Sequence, residues 1–416
     1  MDFSAQLDDL IKPFIKTFGK CDKTVLSKAD NKAFEAILIS LHQAIAKSNE
    51  LVINSGCFKS SVVAIRDKTS EVKRPEDYSN SRFFPSAIQQ YIKENEVHQL
   101  NFSCGNVGGR EINIHITLFS EKEVDNLAVY VQNVRMMYVW LHVCAQYAST
   151  KCTNVLDVYI YPTPFTKNLP SSSATVLGPE HVNTAFTFAC APKGQLIIFR
   201  EEEWFKVFIH ETFHAYGLDF ARSDVTELKT AIQSLFPIQS DFDLYEAYTE
   251  TWARIINCVF CSFNSLENKK DKKTFLTNFN FCIELERMFA VYQCTKILSF
   301  MGLHYNDIHQ KNNYLRDTLY KENTHVFAYY IMTAVFLNDY QGFLLWCRKN
   351  NQDLLKFELT SLNFKEFSDY IERIYNCNAL LNAVDYMGKL NKQVNSNKNS
   401  HKKLIKTTRM SIIHTI

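Results

Sequence analysis

Two histidines and a glutamate lie close together in the stretch VFIHETFHAYGLDF, residues 207–220. On an α-helix, residues four apart share a face, so His210 and His214 can direct both imidazoles at one metal ion. Glu211 is about 100° round the helix from His210, where its carboxylate can reach a metal-bound water without binding the metal. Zinc lowers the pKa of such a water to about 7, and a glutamate can accept its proton. The motif therefore predicts one Zn²⁺ ion, with Glu211 as general base.

A catalytic zinc ion usually has three protein ligands and one open position, so a third ligand must be found. Gly217 suggests the metzincin pattern, in which a ligand follows three residues after the glycine. That position is Phe220, which cannot bind zinc, and Asp219 is out of register. The metzincin pattern is therefore excluded.

A second predicted helix, DFDLYEAYTETWARIIN at residues 241–257, offers a better ligand. Glu246, Glu250 and Arg254 recur every four residues and so share a face. We assign Glu246 as the third ligand, and Glu250 as the carboxylate that orients a ligand histidine by a hydrogen bond. The alternative is a solvated Glu–Glu–Arg face, which the flanking aromatic residues disfavour.

The two motifs together resemble those of the gluzincin peptidases, the thermolysin-like group. The second motif, EAYTETWA, is especially similar to that of anthrax lethal factor-type metalloproteases. The resemblance implies the same ligands, base and orienting carboxylate. It also implies that an antiparallel edge strand, VNTAFTF, precedes the active-site helix and pairs with an extended polypeptide substrate. The backbone groups that would bind this substrate are those of Asn183 and Ala185.

The sequence around the first motif shows a second resemblance. LGPEHVNTAFT and EEWFKVFIHETFHAYGLD are similar to metalloprotease-like proteins encoded by large cytoplasmic double-stranded DNA viruses. The specific likeness covers about residues 155–260. It implies a viral protein, acting in the host cytoplasm or in the virion.

Hydrolysis also needs a donor for the oxyanion that forms on the substrate carbonyl. Gluzincins supply a Tyr, His or Arg from the C-terminal lobe. The candidates are His304 in GLHYNDIH, and Tyr329 and Tyr330 in HVFAYYIM. We favour Tyr329, although aromatic residues in a buried helix more often belong to the core.

Hydrophobic periodicity predicts an α+β fold. A glycine-rich turn between two β-like runs in HQLNFSCGNVGGREINIHITLF predicts a hairpin, and an apolar stripe predicts a long helix at residues 123–147. Gly217 is a candidate for the C-cap of the helix that carries the first motif. The expected architecture is a zincin-like catalytic domain, with a small mixed sheet and an active-site helix, flanked by a helical N-terminal region and a helical C-terminal lobe. The predicted boundaries are 1–85 for the N-terminal region, 86–260 for the catalytic core, 261–389 for the C-terminal lobe and 390–416 for a basic, disordered tail.

Composition indicates a protein of the cytoplasm. The 12 cysteines show no paired spacing and the first residues lack a secretory pattern, so we expect reduced thiols. No segment is long and apolar enough to predict a membrane span. The last 27 residues carry six Lys or Arg and no acid, so nucleic acid is a possible but less favoured partner of the tail. The sequence does not indicate an oligomeric state.

Two other function classes remain open beside a zinc endopeptidase. One is a structural or virion protein built on a catalytically degenerate protease scaffold, which the intact Glu211 disfavours. The other is a nucleic-acid-associated protein that acts through its basic tail.

Overall fold

A computed structural model of the chain describes residues 5–19, 25–54, 58–65, 71–76, 83–397 and 401–414. These residues form a mixed α+β structure with one six-stranded sheet and a helical C-terminal region, so the predicted α+β class is confirmed. The chain has two compact units. The sheet unit contains Ser40–Lys167 and Asn183–Asp219. The helical unit contains the described residues up to Ile39, together with Asn168–Val182 and Phe220–His414.

The strands that the structure describes form one mixed sheet. They are β1 (Lys59–Ala64), β2 (His98–Cys104), β3 (Glu111–Leu118), β4 (Val155–Ile160), β5 (Ala185–Thr187) and β6 (Lys193–Ile198). They pair in the order β1-β2-β3-β4-β6-β5. The central pairs β3–β4 and β4–β6 are parallel, whereas β1, β2 and β5 join by antiparallel pairing. The predicted β2–β3 hairpin and the predicted edge strand β5 are therefore both confirmed.

Strand β1 corrects the prediction that residues 1–85 are helical. Its sequence, KSSVVA, is largely exposed and has no apolar alternation, so periodicity gives no strand signal. The strand forms because its backbone pairs with β2, from Lys59 opposite Ser103 to Ala64 opposite His98. A contact between segments so distant in the chain cannot be read from local pattern.

Helices cover the sheet within its own unit. Helix α3 (Ser86–Asn95) places Ile88 and Ile92 in a buried cluster with Tyr159 of β4 and Ile197 of β6. A 3₁₀ turn (Glu121–Asn126) leads into α4 (Leu127–Cys144), as the apolar stripe predicts. Helix α6 (Trp204–Tyr216) packs against α4, β5 and β6. The sheet thus supports the helix that carries the His-Glu-x-x-His motif.

The helical unit is built around a long central helix, α9 (Lys272–Phe300), which packs against α8 (Leu244–Asn264), α12 (Thr333–Asn338) and α15 (Asn378–Ser396). Asp271 caps α9 by accepting hydrogen bonds from the N–H groups of Lys273 and Thr274. The remaining helices are α1 (Ala5–Ile15), α2 (Lys28–Asn54), α5 (Pro179–Val182), α7 (Thr226–Leu235), α10 (Tyr305–His309), α11 (Tyr314–Leu319), α13 (Tyr340–Asn350), α14 (Ser361–Ile374) and α16 (Lys402–Lys406), with a π-helical segment at Phe327–Met332.

The C-terminal segment is folded where the structure describes it, which corrects the predicted disordered tail from Leu390. Helix α15 continues to Ser396, α16 follows, and residues 407–413 are buried. Tyr330 Oη donates to the carbonyl of Thr408 at 2.5 Å, and Gln293 Nε2 donates to that of Arg409 at 2.6 Å. The composition is polar, but distant helices satisfy the backbone of this segment, and no local pattern reveals that.

Glu286 of α9 is the main anchor of this segment. Its Oε1 accepts hydrogen bonds from the N–H groups of Ile412 and Ile413 at 2.9 and 2.8 Å. Its Oε2 accepts from Nε of Arg254 at 2.7 Å, so one buried carboxylate joins α8, α9 and the C-terminal segment.

Among the described residues, no helix is both long and apolar enough to cross a membrane.

We expect Glu286→Ala to lower the free energy of unfolding by about 3–5 kcal/mol, because it leaves Arg254 buried without its charged partner. Urea unfolding followed by circular dichroism measures the change. Asp385→Ala is the matched control, because its ion pair with Lys389 lies on the surface and contributes little. Equal losses in the two variants would contradict the role given to Glu286.

Candidate metal centre

Helix α6 is buried along its whole length, including its two histidines and its glutamate. Two contacts hold it by its polar groups: Trp140 Nε1 donates to Thr212 Oγ1 at 2.9 Å, and Thr153 Oγ1 donates to the carbonyl of Ala215 at 2.5 Å. Packing on all sides leaves the helix little freedom to rotate. The directions of His210, Glu211 and His214 are therefore set by the core of the sheet unit.

A left-handed glycine ends α6, as the sequence predicts. Gly217 has φ +61°, and its N–H and that of Leu218 donate back to the carbonyls of His214 and Phe213, at 3.1 and 2.9 Å. This is the hydrogen-bond pattern of a Schellman cap. A Cβ at Gly217 would lie 3.1 Å from the sulfur of Cys152, so a side chain is disfavoured by space as well as by φ. The cap reverses the chain directly after the second histidine.

The two motif histidines face each other. Their Nε2 atoms are 3.1 Å apart, and each side chain is buried. Two ligand nitrogens at about 2.05 Å from a tetrahedral zinc ion are about 3.3 Å apart. The observed separation fits a pair of nitrogens that share one metal ion, as the spacing of four residues predicts.

Asp219 orients His214, a role that the sequence analysis missed. His214 Nδ1 donates a hydrogen bond to Asp219 Oδ2, and the carboxylate is buried. This bond puts the proton on Nδ1 and leaves the lone pair of Nε2 for a metal. The signal in the sequence was Gly217. Because the chain reverses at this glycine, the acidic side chain two residues later lies against the last turn of α6.

Glu246 completes the predicted ligand set. His210, His214 and Glu246 form a buried group in which one ligand atom of each lies within 4.8 Å of the others. Two imidazoles and one carboxylate match the His₂Glu donor set of catalytic zinc sites. This group could hold a metal ion.

The face of α8 that carries Glu246 is buried, so the alternative of a solvated Glu–Glu–Arg face is wrong. Glu246, Glu250 and Arg254 are 8%, 1% and 1% exposed. Arg254 pairs with Glu286 of α9. Glu250 lies one turn beyond Glu246, and its predicted hydrogen bond to a ligand histidine stays a prediction.

Tyr329 is the candidate oxyanion donor that lies beside a predicted ligand. Its hydroxyl donates to Glu246 Oε2 at 2.9 Å. It belongs to the π-helical segment Phe327–Met332, a backbone form that is rare and often found at functional sites. Tyr330, by contrast, bonds the C-terminal segment, and His304 is exposed at the start of α10. The preference for Tyr329 is consistent with these contacts, and its catalytic role stays a prediction.

The predicted substrate-binding positions lie at the edge of the sheet. Ala185 is the first residue of β5 and pairs with Ile198 of β6. Asn183 precedes the strand, and its carbonyl accepts a hydrogen bond from Arg200 Nε at 2.9 Å. That carbonyl is therefore already engaged by the protein, whereas β5 is the last strand in the order of the described sheet, next to β6.

A disulfide corrects the prediction that all thiols are reduced. Cys152 and Cys190 are bonded to each other across 38 residues of sequence. The backbone N–H of Cys190 also donates to the carbonyl of His214 at 3.0 Å, so the bridge lies against the end of α6. Spacing along the chain could not show this pair, because the folding of the sheet unit brings the two cysteines together.

Comparison with known proteins gives no match to this chain, whether with protein-family models, curated proteins or solved structures. Its function must therefore be inferred from its residues and their geometry.

We expect Asp219→Asn to weaken Zn²⁺ binding 10- to 100-fold, because the amide no longer fixes the tautomer and orientation of His214. Competition with a chromogenic chelator measures the affinity. Glu227→Gln, an exposed position on α7, is the control and should bind zinc as the wild type does. Unchanged affinity in Asp219→Asn would show that this carboxylate does not support a metal ligand.

Proposed function

We propose that the protein is a zinc-dependent endopeptidase of the gluzincin type with a zincin-like catalytic fold. One observation carries the proposal: a buried group of two histidines and a glutamate has the donor types and spacing of a catalytic zinc site. The helix that supplies both histidines also places a glutamate next to the first of them. The proposed ligands of the single Zn²⁺ ion are His210, His214 and Glu246.

When bound, Zn²⁺ supplies Lewis-acid chemistry and makes a water molecule acidic near pH 7. The side chains around it have separate tasks. Asp219 keeps His214 in the tautomer whose Nε2 can act as a ligand. Glu250, buried one turn after Glu246, is the proposed second orienting carboxylate.

Glu211 is the proposed general base. Glu211 follows His210 directly, so its side chain is about 100° round α6 from that of His210. The carboxylate therefore lies next to the helix face that carries the two histidines and is not part of that face. There it accepts a proton from the attacking water and then delivers that proton to the nitrogen of the leaving amine. Burial at 7% exposure keeps the carboxylate in a fixed place and limits its access to bulk water.

Tyr329 is the proposed oxyanion donor. Its hydroxyl has an acceptor in Glu246 without substrate, and a substrate carbonyl that gains negative charge would offer a second acceptor nearby. The proposed substrate is an extended polypeptide that adds to β5 as an antiparallel strand. The position of β5 at the end of the strand order, among the residues that the structure describes, supports this part of the proposal.

We expect Glu211→Gln to retain zinc at the wild-type stoichiometry and to lose peptidase activity by at least 100-fold, because the amide cannot accept the proton. Metal analysis and cleavage of a quenched fluorescent peptide library measure the two properties. Glu227→Gln serves as the control for expression and folding. Full activity in Glu211→Gln would exclude the mechanism, and absence of zinc from the wild type would exclude the metal.

We expect Glu246→Ala to lose both zinc and activity, whereas Tyr329→Phe should keep zinc and lose activity about 10- to 1,000-fold. The two variants separate a ligand from an oxyanion donor, although the two side chains share a hydrogen bond. Zinc content and kcat measured on the same preparations give the comparison. Undiminished zinc affinity in Glu246→Ala would require a different third ligand.

A further inference from the structure

A cavity of about 360 Å³ opens in the sheet unit, and none of its lining residues is a proposed metal ligand. It lies where the parallel strands β3 and β4 end, a common place for ligand sites in α/β proteins. Ile116 of β3, Ile160 of β4, Met137 of α4 and Trp204 of α6 form its apolar walls. Its volume is within the range of small-molecule sites, about 300–1,000 Å³.

Two carboxylates and a phenol line the same cavity, and their hydrogen bonds differ. Glu123 Oε2 accepts from the N–H groups of Phe119 and Ser120, at 2.8 Å each, and its Oε1 accepts from Tyr130 Oη at 3.0 Å. Glu201 makes no side-chain hydrogen bond or ion pair with the residues that the structure describes. Partial burial is the main cause that raises the pKa of the Glu201 carboxyl, and the negative charge of the nearby Glu123 raises it further. The cavity therefore contains one engaged carboxylate and one that lacks a positive partner among the described residues.

We propose that this cavity binds an organic ammonium ion that carries an apolar body. The ammonium group would pair with Glu201 and lie within the field of Glu123, and the apolar body would contact Met137 and the two isoleucines. Trp204 and Tyr130 add aromatic faces, which attract cations. Lys122 also lines the cavity, and both Lys122 and Glu201 are exposed. With two acids and one lysine, the formal charge of the lining is −1, which complements a monovalent cation.

Other ligand classes fit less well. A divalent metal ion requires several oxygen ligands, and both oxygens of Glu123 are already used within the protein. An anion would meet two carboxylates. A neutral apolar molecule would leave Glu201 partly desolvated without a partner, which costs free energy.

The ammonium group could belong to a free amine or to a lysine side chain of a polypeptide. Both carry the same chemistry, so the test uses a probe for each. 2-Phenylethylamine represents a free amine, and Nα-acetyl-lysine N-methylamide represents a lysine side chain. 2-Phenylethanol has the same apolar body as the first probe but no charge. Tighter binding of one amine probe than of the other assigns the source of the ligand.

We expect calorimetry on the full chain at pH 7.5 to show at least one amine probe binding at least tenfold more tightly than 2-phenylethanol. Glu201→Gln should remove this preference, because it deletes the unpaired charge and keeps the shape. Asn133→Trp, which fills the cavity from α4, should abolish binding of every probe. Zinc content should stay at the wild-type value in both variants, so this proposal and that of the metal centre fail independently.

Glu121→Gln is the matched control, because Glu121 lies on the same 3₁₀ turn as Glu123 but does not line the cavity. It should bind the probes as the wild type does. The proposal is overturned by equal affinity for the amine and the alcohol, by a preference that survives Glu201→Gln, or by no binding of either amine at 10 mM. Loss of the preference in Glu121→Gln to the same extent would also overturn it.

Discussion

The burial of α6 is the constraint on which the site depends. A buried ionisable side chain is costly unless a partner compensates for its lost hydration. The sheet unit supplies such partners just beyond both ends of the helix. Before it, Lys167 Nζ lies 2.5 Å from Glu203 Oε2, and Glu203 opposes the lowering of the Lys167 pKa by burial. After it, Asp219 accepts the proton of His214 Nδ1. The geometry of the two motif histidines is therefore fixed by the helix ends as well as by the helix.

Both helix ends use a left-handed backbone. Gly217 adopts φ +61° without a steric penalty, but Glu203 adopts φ +62°, where a side chain costs about 1–2 kcal/mol. The ion pair between Glu203 and Lys167 is a stabilising interaction that can offset this backbone strain. The two ends thus explain why a fully buried helix can carry charged and titratable residues.

The sequence predicted those features that depend on near neighbours. The His210–His214 spacing, the cap at Gly217, the β2–β3 hairpin and helix α8 all follow from local periodicity or from turn chemistry, and all are present. The features it missed need distant segments. Strand β1 exists only by pairing with β2, Cys190 meets Cys152 across 38 residues, and helices far away in the sequence hold the C-terminal segment. Asp219 is an intermediate case. It is close to His214 in the sequence, but only the path of the chain after Gly217 decides whether its carboxylate reaches that histidine.

The composition of the site separates a catalytic from a structural metal centre. Structural zinc sites are closed by four protein ligands, most often with cysteines, whereas catalytic sites keep a position open. Across the described ranges, the buried group that could hold a metal has three members and no cysteine. Glu211, which is not among them, lies beside them on α6, and a purely structural site gains nothing from a second buried carboxylate there. A three-member group with an adjacent carboxylate therefore supports the proposed hydrolytic function over a degenerate scaffold.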